Sequence, residues 1–98
     1  MIMEREDNME AKFQLGRVVA TPGASLALEN GYQLAALLAR HSSGDWGDLC
    51  NEDKVQNEAA LMTGERLMSA YSTSKGIKLW VITEWDRSVT TILLPDEY

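Results

Sequence analysis

The apolar positions of this chain follow two rhythms, and the change between them organises it. Phe13 to Ala20 (FQLGRVVA) opens with the alternation of a strand, Phe13, Leu15 and Val19 sharing a face that Arg17 interrupts. Gly16 inside that run marks a bulge or a close approach by another backbone. Thr21-Pro22-Gly23 then starts a helix, because Thr21 can cap it and Pro22 suits a first turn where its missing N–H would be unpaired anyway. Leu26 and Leu28 are the apolar residues of this short helix, and Asn30-Gly31 is its stop. Leu34, Leu37, Leu38 and His41 recur at i, i+3, i+4 and i+7, predicting a second helix over residues 32–41. Ser42 to Leu49 (SSGDWGDL) reads as a loop. Asn51 to Thr63 predicts a third helix, the most polar, with Val55, Ala59 and Met62 as a narrow buried stripe and Gly64 as its end.

Beyond Gly64 the period falls to two. Strands are expected over residues 66–72, 77–84 and 88–94, with turns at 73–76 and 85–87. The strand from Ile77 carries Ile77, Leu79 and Val81 on one face and Trp80 and Ile82 on the other, which suits a central position. The resulting expectation is an α+β fold: an N-terminal strand, two to three helices, then a three-stranded antiparallel meander with the helices on one sheet face. Residues 1–12 are expected as a flexible acidic tail, and residues 13–98 as a single domain.

Charge and composition narrow the function classes. The formal net charge is −6, and the nine basic residues are scattered with no two adjacent, which disfavours nucleic acid and anionic membranes as partners. No apolar run approaches the ~20 residues that cross a bilayer, and the first residues lack the apolar region of a signal peptide. The single cysteine, Cys50, allows no internal disulfide and fits a reduced, cytoplasmic protein with a half-buried, inert thiol. One His and one Cys cannot build a structural zinc site. Carboxylates at Asp45, Asp48, Glu52 and Asp53 leave a magnesium site conceivable, although clustered surface carboxylates are mostly solvated. No metal ligand or cofactor is assigned. No phosphate loop, dinucleotide fingerprint or nucleophile elbow occurs.

Two constellations remain. In the first, the GDWGDL loop sets Trp46 between two glycines, beside Asp45 and Asp48, with Glu52 and Asp53 opening the next helix. Trp46 is then either a core plug or the anchor of a partner, with those four carboxylates as a charged rim. Trp85, at a turn tip, either folds onto the sheet or meets another chain. This reading expects a protein partner, a second copy of the chain included. In the second, His41 at a helix end, Arg87 in a turn and Thr90 on the last strand supply a base or acid, a cation and a hydroxyl for metal-independent RNA cleavage on a plan like that of barnase-like and RelE-like ribonucleases. A cleft between helices and sheet would also admit a small molecule, for which no residue argues.

The segments VVATPGA (18–24), ARHSSGDWGDL (39–49), RLMSAY (66–71) and KLWVITEWDRSVTTILLPDEY (78–98) resemble a family of small proteins encoded on bacterial plasmids, integrated elements and prophages. That family carries no established activity, so the resemblance supplies no catalytic residue. It implies a bacterial mobile-element setting and a cytoplasmic location. The expected function is therefore a small acidic interaction module, serving as an accessory, anti-defence or antitoxin-like factor, with the ribonuclease as the alternative.

Overall fold

A computed structural model of the chain describes residues 10–28 and 31–98. Its elements run β1 (Arg17–Ala20), α1 (Pro22–Ala27), α2 (Gly31–Ser42), α3 (Asn51–Thr63), β2 (Leu67–Ser72), β3 (Lys78–Thr83), β4 (Val89–Leu93) and a 3-10 turn at Pro95–Glu97. The class is α+β, as expected. The meander β2-β3-β4 is antiparallel, but the sheet is mixed: its order is β1-β4-β3-β2, and β1 joins β4 in parallel, Val18 beside Thr90 and Ala20 beside Ile92. The apolar-on-both-faces strand β3 is interior to the sheet, hydrogen-bonded along both edges to β2 and β4.

Local chemistry sets the boundaries. β1 starts four residues later than its alternation suggests, because Gly16 has φ 67° and a Cβ there would lie 2.4 Å from the Arg87 and Ser88 carbonyl oxygens. The β3–β4 turn thus presses directly on that backbone. Thr21 caps α1 by accepting from the Ala24 N–H at 3.2 Å, with Pro22 in the first turn. Leu26 stays exposed, and Ala24 and Leu28 meet the core instead. Gly31, anticipated just past the end of α1, is the first residue of α2, while Asn30 lies outside the described residues. Gly64 ends α3 in the left-handed conformation, φ 79°. Of the anticipated tail, residues 1–9 lie outside the described residues, whereas the Lys12 N–H donates to the Ser42 carbonyl at 2.7 Å and ties that segment to the end of α2.

One sheet face carries Leu67, Ser69 and Tyr71 of β2, Leu79, Val81 and Thr83 of β3, and Thr90 and Ile92 of β4, all buried. Helices α1 and α2 cover it through Ala24, Leu28, Leu34, Leu37 and Leu38. Full burial of each large aliphatic side chain contributes ~1.5–3 kcal/mol before entropy is counted. A second cluster joins Trp46, Ala60 and Leu67 to Phe13, Leu49 and Leu61. On the opposite face the Tyr98 ring stands edge-on to Trp80 at 5.8 Å, and its hydroxyl accepts from Arg66 at 2.6 Å. No helix among the described residues is long and apolar enough to cross a membrane.

Candidate functional site

His41 ends α2 on the inner side of the helix and is 0% exposed. Its Nδ1 lies 2.6 Å from the Ser69 hydroxyl, and its Nε2 lies 2.9 Å from the Thr83 hydroxyl. Thr83 continues to Thr90 at 2.7 Å, and Thr90 donates to the Leu15 carbonyl at 2.7 Å. That terminal carbonyl can only accept, so it directs the whole chain. The Thr90 proton goes to Leu15, the Thr83 proton to Thr90, and the Nε2 proton to Thr83. His41 is then the neutral Nε2–H tautomer, and Ser69 donates to Nδ1. Burial, and secondly the Arg87 cation, push the imidazole pKa down to about 4.

The anticipated catalytic set does not share an open cleft: His41 and Thr90 are fully buried, and Arg87 is half-buried on the far side of Phe13. Thr90 is fully buried beside Thr83. Phe13 stands between Arg87 and His41: the guanidinium lies 5.7 Å from the Phe13 centroid, and that ring meets His41 edge-on at 5.1 Å. The guanidinium donates to four backbone carbonyls, those of Glu65 (2.7 Å), Glu84 (3.1 Å), Trp85 (3.2 Å) and Ala60 (3.2 Å). Arg87 thereby pins the β3–β4 turn to the end of α3, itself holding φ 61°. Asp86 in the same turn accepts from the Ser88 N–H and hydroxyl. No substrate oxygen reaches His41, Arg87 and Thr90 together in this arrangement.

The GDWGDL loop is also used internally. Trp46 is 4% exposed, packs 6.2 Å from Phe13 and 5.9 Å from His41, and donates its indole N–H to Glu58 at 2.8 Å. Trp46 is therefore a core residue, and the anchor anticipated there is corrected: a partner cannot reach it without unpacking Phe13 and His41. Asp45 is held by Arg40 through two bonds, 2.7 and 3.3 Å, and accepts from the Gly47 N–H. The hydrogen bond from Arg40, foremost, keeps the Asp45 carboxyl below its usual range. Its carbonyl accepts the Tyr71 hydroxyl at 2.5 Å, and Arg40 lies over the Tyr71 ring. Gly47 passes so close to β2 that a Cβ would fall 1.9 Å from the Ala70 carbonyl oxygen. Asp48 is exposed and accepts from Ser72 at 3.3 Å. Cys50, anticipated as half-buried, is an exposed thiol preceding α3.

Glu52 and Asp53 project from the first turn of α3, both exposed. The helix itself corrects a further expectation. It buries Asn57 and Ala60 against the sheet edge and turns the Val55–Ala59–Met62 stripe outward, with Val55 67% and Met62 88% exposed. Trp85 is 66% exposed, and its carbonyl shares the Arg87 guanidinium with those of Ala60 and Glu65 at the C-terminal end of α3. Two features escaped sequence reasoning: Glu58 as partner of Trp46, and the outward stripe. Asn57, a polar residue on the opposite side of α3, was the available signal for the second. Among the described residues no group of three or more His, Cys, Asp or Glu is placed to hold a metal ion. Comparisons with protein-family profiles, curated proteins and solved structures return no match.

Proposed function

We propose that the protein is a non-enzymatic interaction module of the cytoplasm that binds a protein partner through the outer face of α3 and the adjoining Trp85 turn. The observation that carries this reading is the outward stripe of Val55, Ala59 and Met62, with Trp85 exposed at the same end of the helix. Small domains rarely leave several large apolar side chains on one face unless something covers them. The rim is acidic: from Asp45 to Glu58 the chain has five acidic residues (45, 48, 52, 53, 58) against Lys54 alone. Glu52 and Glu58 flank the stripe itself, and Asp45, Asp48 and Asp53 add exposed negative charge near it in sequence. In the mobile-element setting that the resemblance implies, such a module serves as an accessory, anti-defence or antitoxin-like factor.

The test is affinity capture from a bacterial lysate with the wild-type chain and with Met62→Glu plus Trp85→Ala, both verified as folded by near-ultraviolet circular dichroism. Both sites are exposed, so the variant should fold. At least one protein should be retained by the wild type and fall by roughly tenfold or more with the variant, the scale of a lost interface hot spot. Identical captured sets would remove the proposal.

A further inference from the structure

The side of α3 that faces solvent restricts what can dock there. Its backbone N–H and C=O groups are spent inside the helix, so an added strand would find no ladder to join, unlike at a sheet edge. Recognition must run through side chains. Val55 and Met62 are seven residues apart, about 10 Å along the axis, with the small Ala59 between them. Large, small, large along one helical stripe is a ridge with a notch, the relief into which the ridge of a second helix packs. Glu52 and Glu58 stand about 60° to either side of Val55 around the axis, flanking the stripe on both sides.

We infer that the occupant of this face is an amphipathic helix with an apolar stripe and lysines or arginines along both margins. This rests on the interaction reading above and names its partner class. Charge decides the sign. The flanking Glu52 and Glu58 face a margin that must be basic to be attracted, whereas an acidic helix would be repelled. A second copy of this chain is disfavoured for the same reason, since its α3 would bring acidic and not basic margins to this face. Anionic lipid is disfavoured likewise. Glu58 accepts from the Trp46 indole, which fixes that side of the rim from beneath.

The experiment uses the full chain and synthetic helical peptides with leucines at i, i+3, i+4 and i+7. One peptide carries lysines along the margins, one carries glutamates there, and one has the lysine peptide's composition in scrambled order. Binding is followed by heteronuclear NMR and isothermal calorimetry. The lysine-margined peptide should shift the signals of Val55, Ala59, Met62 and the Trp85 indole. Its affinity should fall about tenfold with Met62→Glu, and its salt dependence should weaken with Glu52→Lys. Equal binding of the scrambled or the glutamate-margined peptide would overturn the inference, as would the absence of binding. So would a dimer in sedimentation that Met62→Glu dissociates, because the second copy would then be the occupant. If no peptide binds but a lysate protein is still captured in a Met62- and Trp85-dependent way, the basic helix is excluded and the interaction reading survives. If that capture is missing as well, both fall.

Discussion

His41 is bonded at both ring nitrogens and fully buried. Its folded pKa of about 4 lies below the ordinary 6.5, so the unfolded chain binds the proton more readily. The stability that the neutral ring contributes is fully present above pH 6.5 and is lost as pH falls towards 4. The gap corresponds to about 3 kcal/mol. Urea midpoints measured from pH 7 to pH 4 should therefore drop more steeply for the wild type than for His41→Leu, which lacks the titration. The variant should itself lose roughly 1–3 kcal/mol at pH 7 for each hydroxyl left unpaired. Parallel pH profiles would show that His41 does not control acid lability. The helical period placed His41 on the inner stripe of α2. The sequence could not reveal that Ser69, Thr83 and Thr90 meet it, because those hydroxyls come from three strands, and a lone serine or threonine in a strand pattern carries no mark of its partner.

At the level of elements, the informative pair is α3 and β2. The outer edge of β2 is sealed by imitation of a strand. The Asn57 carboxamide accepts from the Met68 N–H at 3.1 Å and donates to the Met68 carbonyl at 2.7 Å. One step along, Ala70 is bonded by the Trp46 carbonyl and the Asp48 N–H, and Gly47 forms a parallel bridge with it. A bare edge of this kind invites pairing with another chain. Asn57→Leu fits the volume but unpairs two part-buried backbone groups, so a cost of about 1–3 kcal/mol is expected together with aggregation at high concentration. Asn57→Asp keeps the acceptor for the Met68 N–H but sets a carboxylate oxygen against the Met68 carbonyl, so it should destabilise as well. Equal midpoints for wild type and Asn57→Leu in chemical unfolding would refute the sealing role. This packing also explains why periodicity misjudged α3. The stripe Val55–Ala59–Met62 is the most apolar line on the helix, but a sheet edge needs hydrogen bonds from its cover, and Asn57 supplies them. The polar side therefore goes in and the apolar line comes out.

Across the whole molecule, the class, the three helices and the meander were legible because each rests on local rhythm and capping. The parallel β1–β4 pairing was not, since its partners lie about seventy residues apart and four residues of alternation do not choose a neighbour. A side chain at the far end of the chain reinforces that closure. Glu97 accepts from the Thr21 hydroxyl, from the Gly23 N–H at 3.0 Å and from the Leu94 N–H at 2.8 Å. It is thus bonded to the cap of α1 and to the end of β4 together. The Thr21 hydroxyl, foremost, holds the Glu97 carboxyl below its usual range. The anion also suits the positive end of the α1 dipole. Helix α1 has only six residues, too few to persist by propensity, so it depends on this capping and on its core contacts. Glu97→Gln cannot accept at both positions, because one oxygen becomes an N–H₂ donor that confronts the Gly23 N–H. Native-state hydrogen exchange should then quicken at the Ala24 and Leu28 amides, whose acceptors are Thr21 and Ala24. Amides of α3, which share no partner with Glu97, should keep their wild-type rates. Unchanged exchange in α1 would mean that core contacts alone hold that helix. Acceleration spread evenly over α1 and α3 would mean that Glu97 supports global stability and has no special hold on the closure of β1 onto β4.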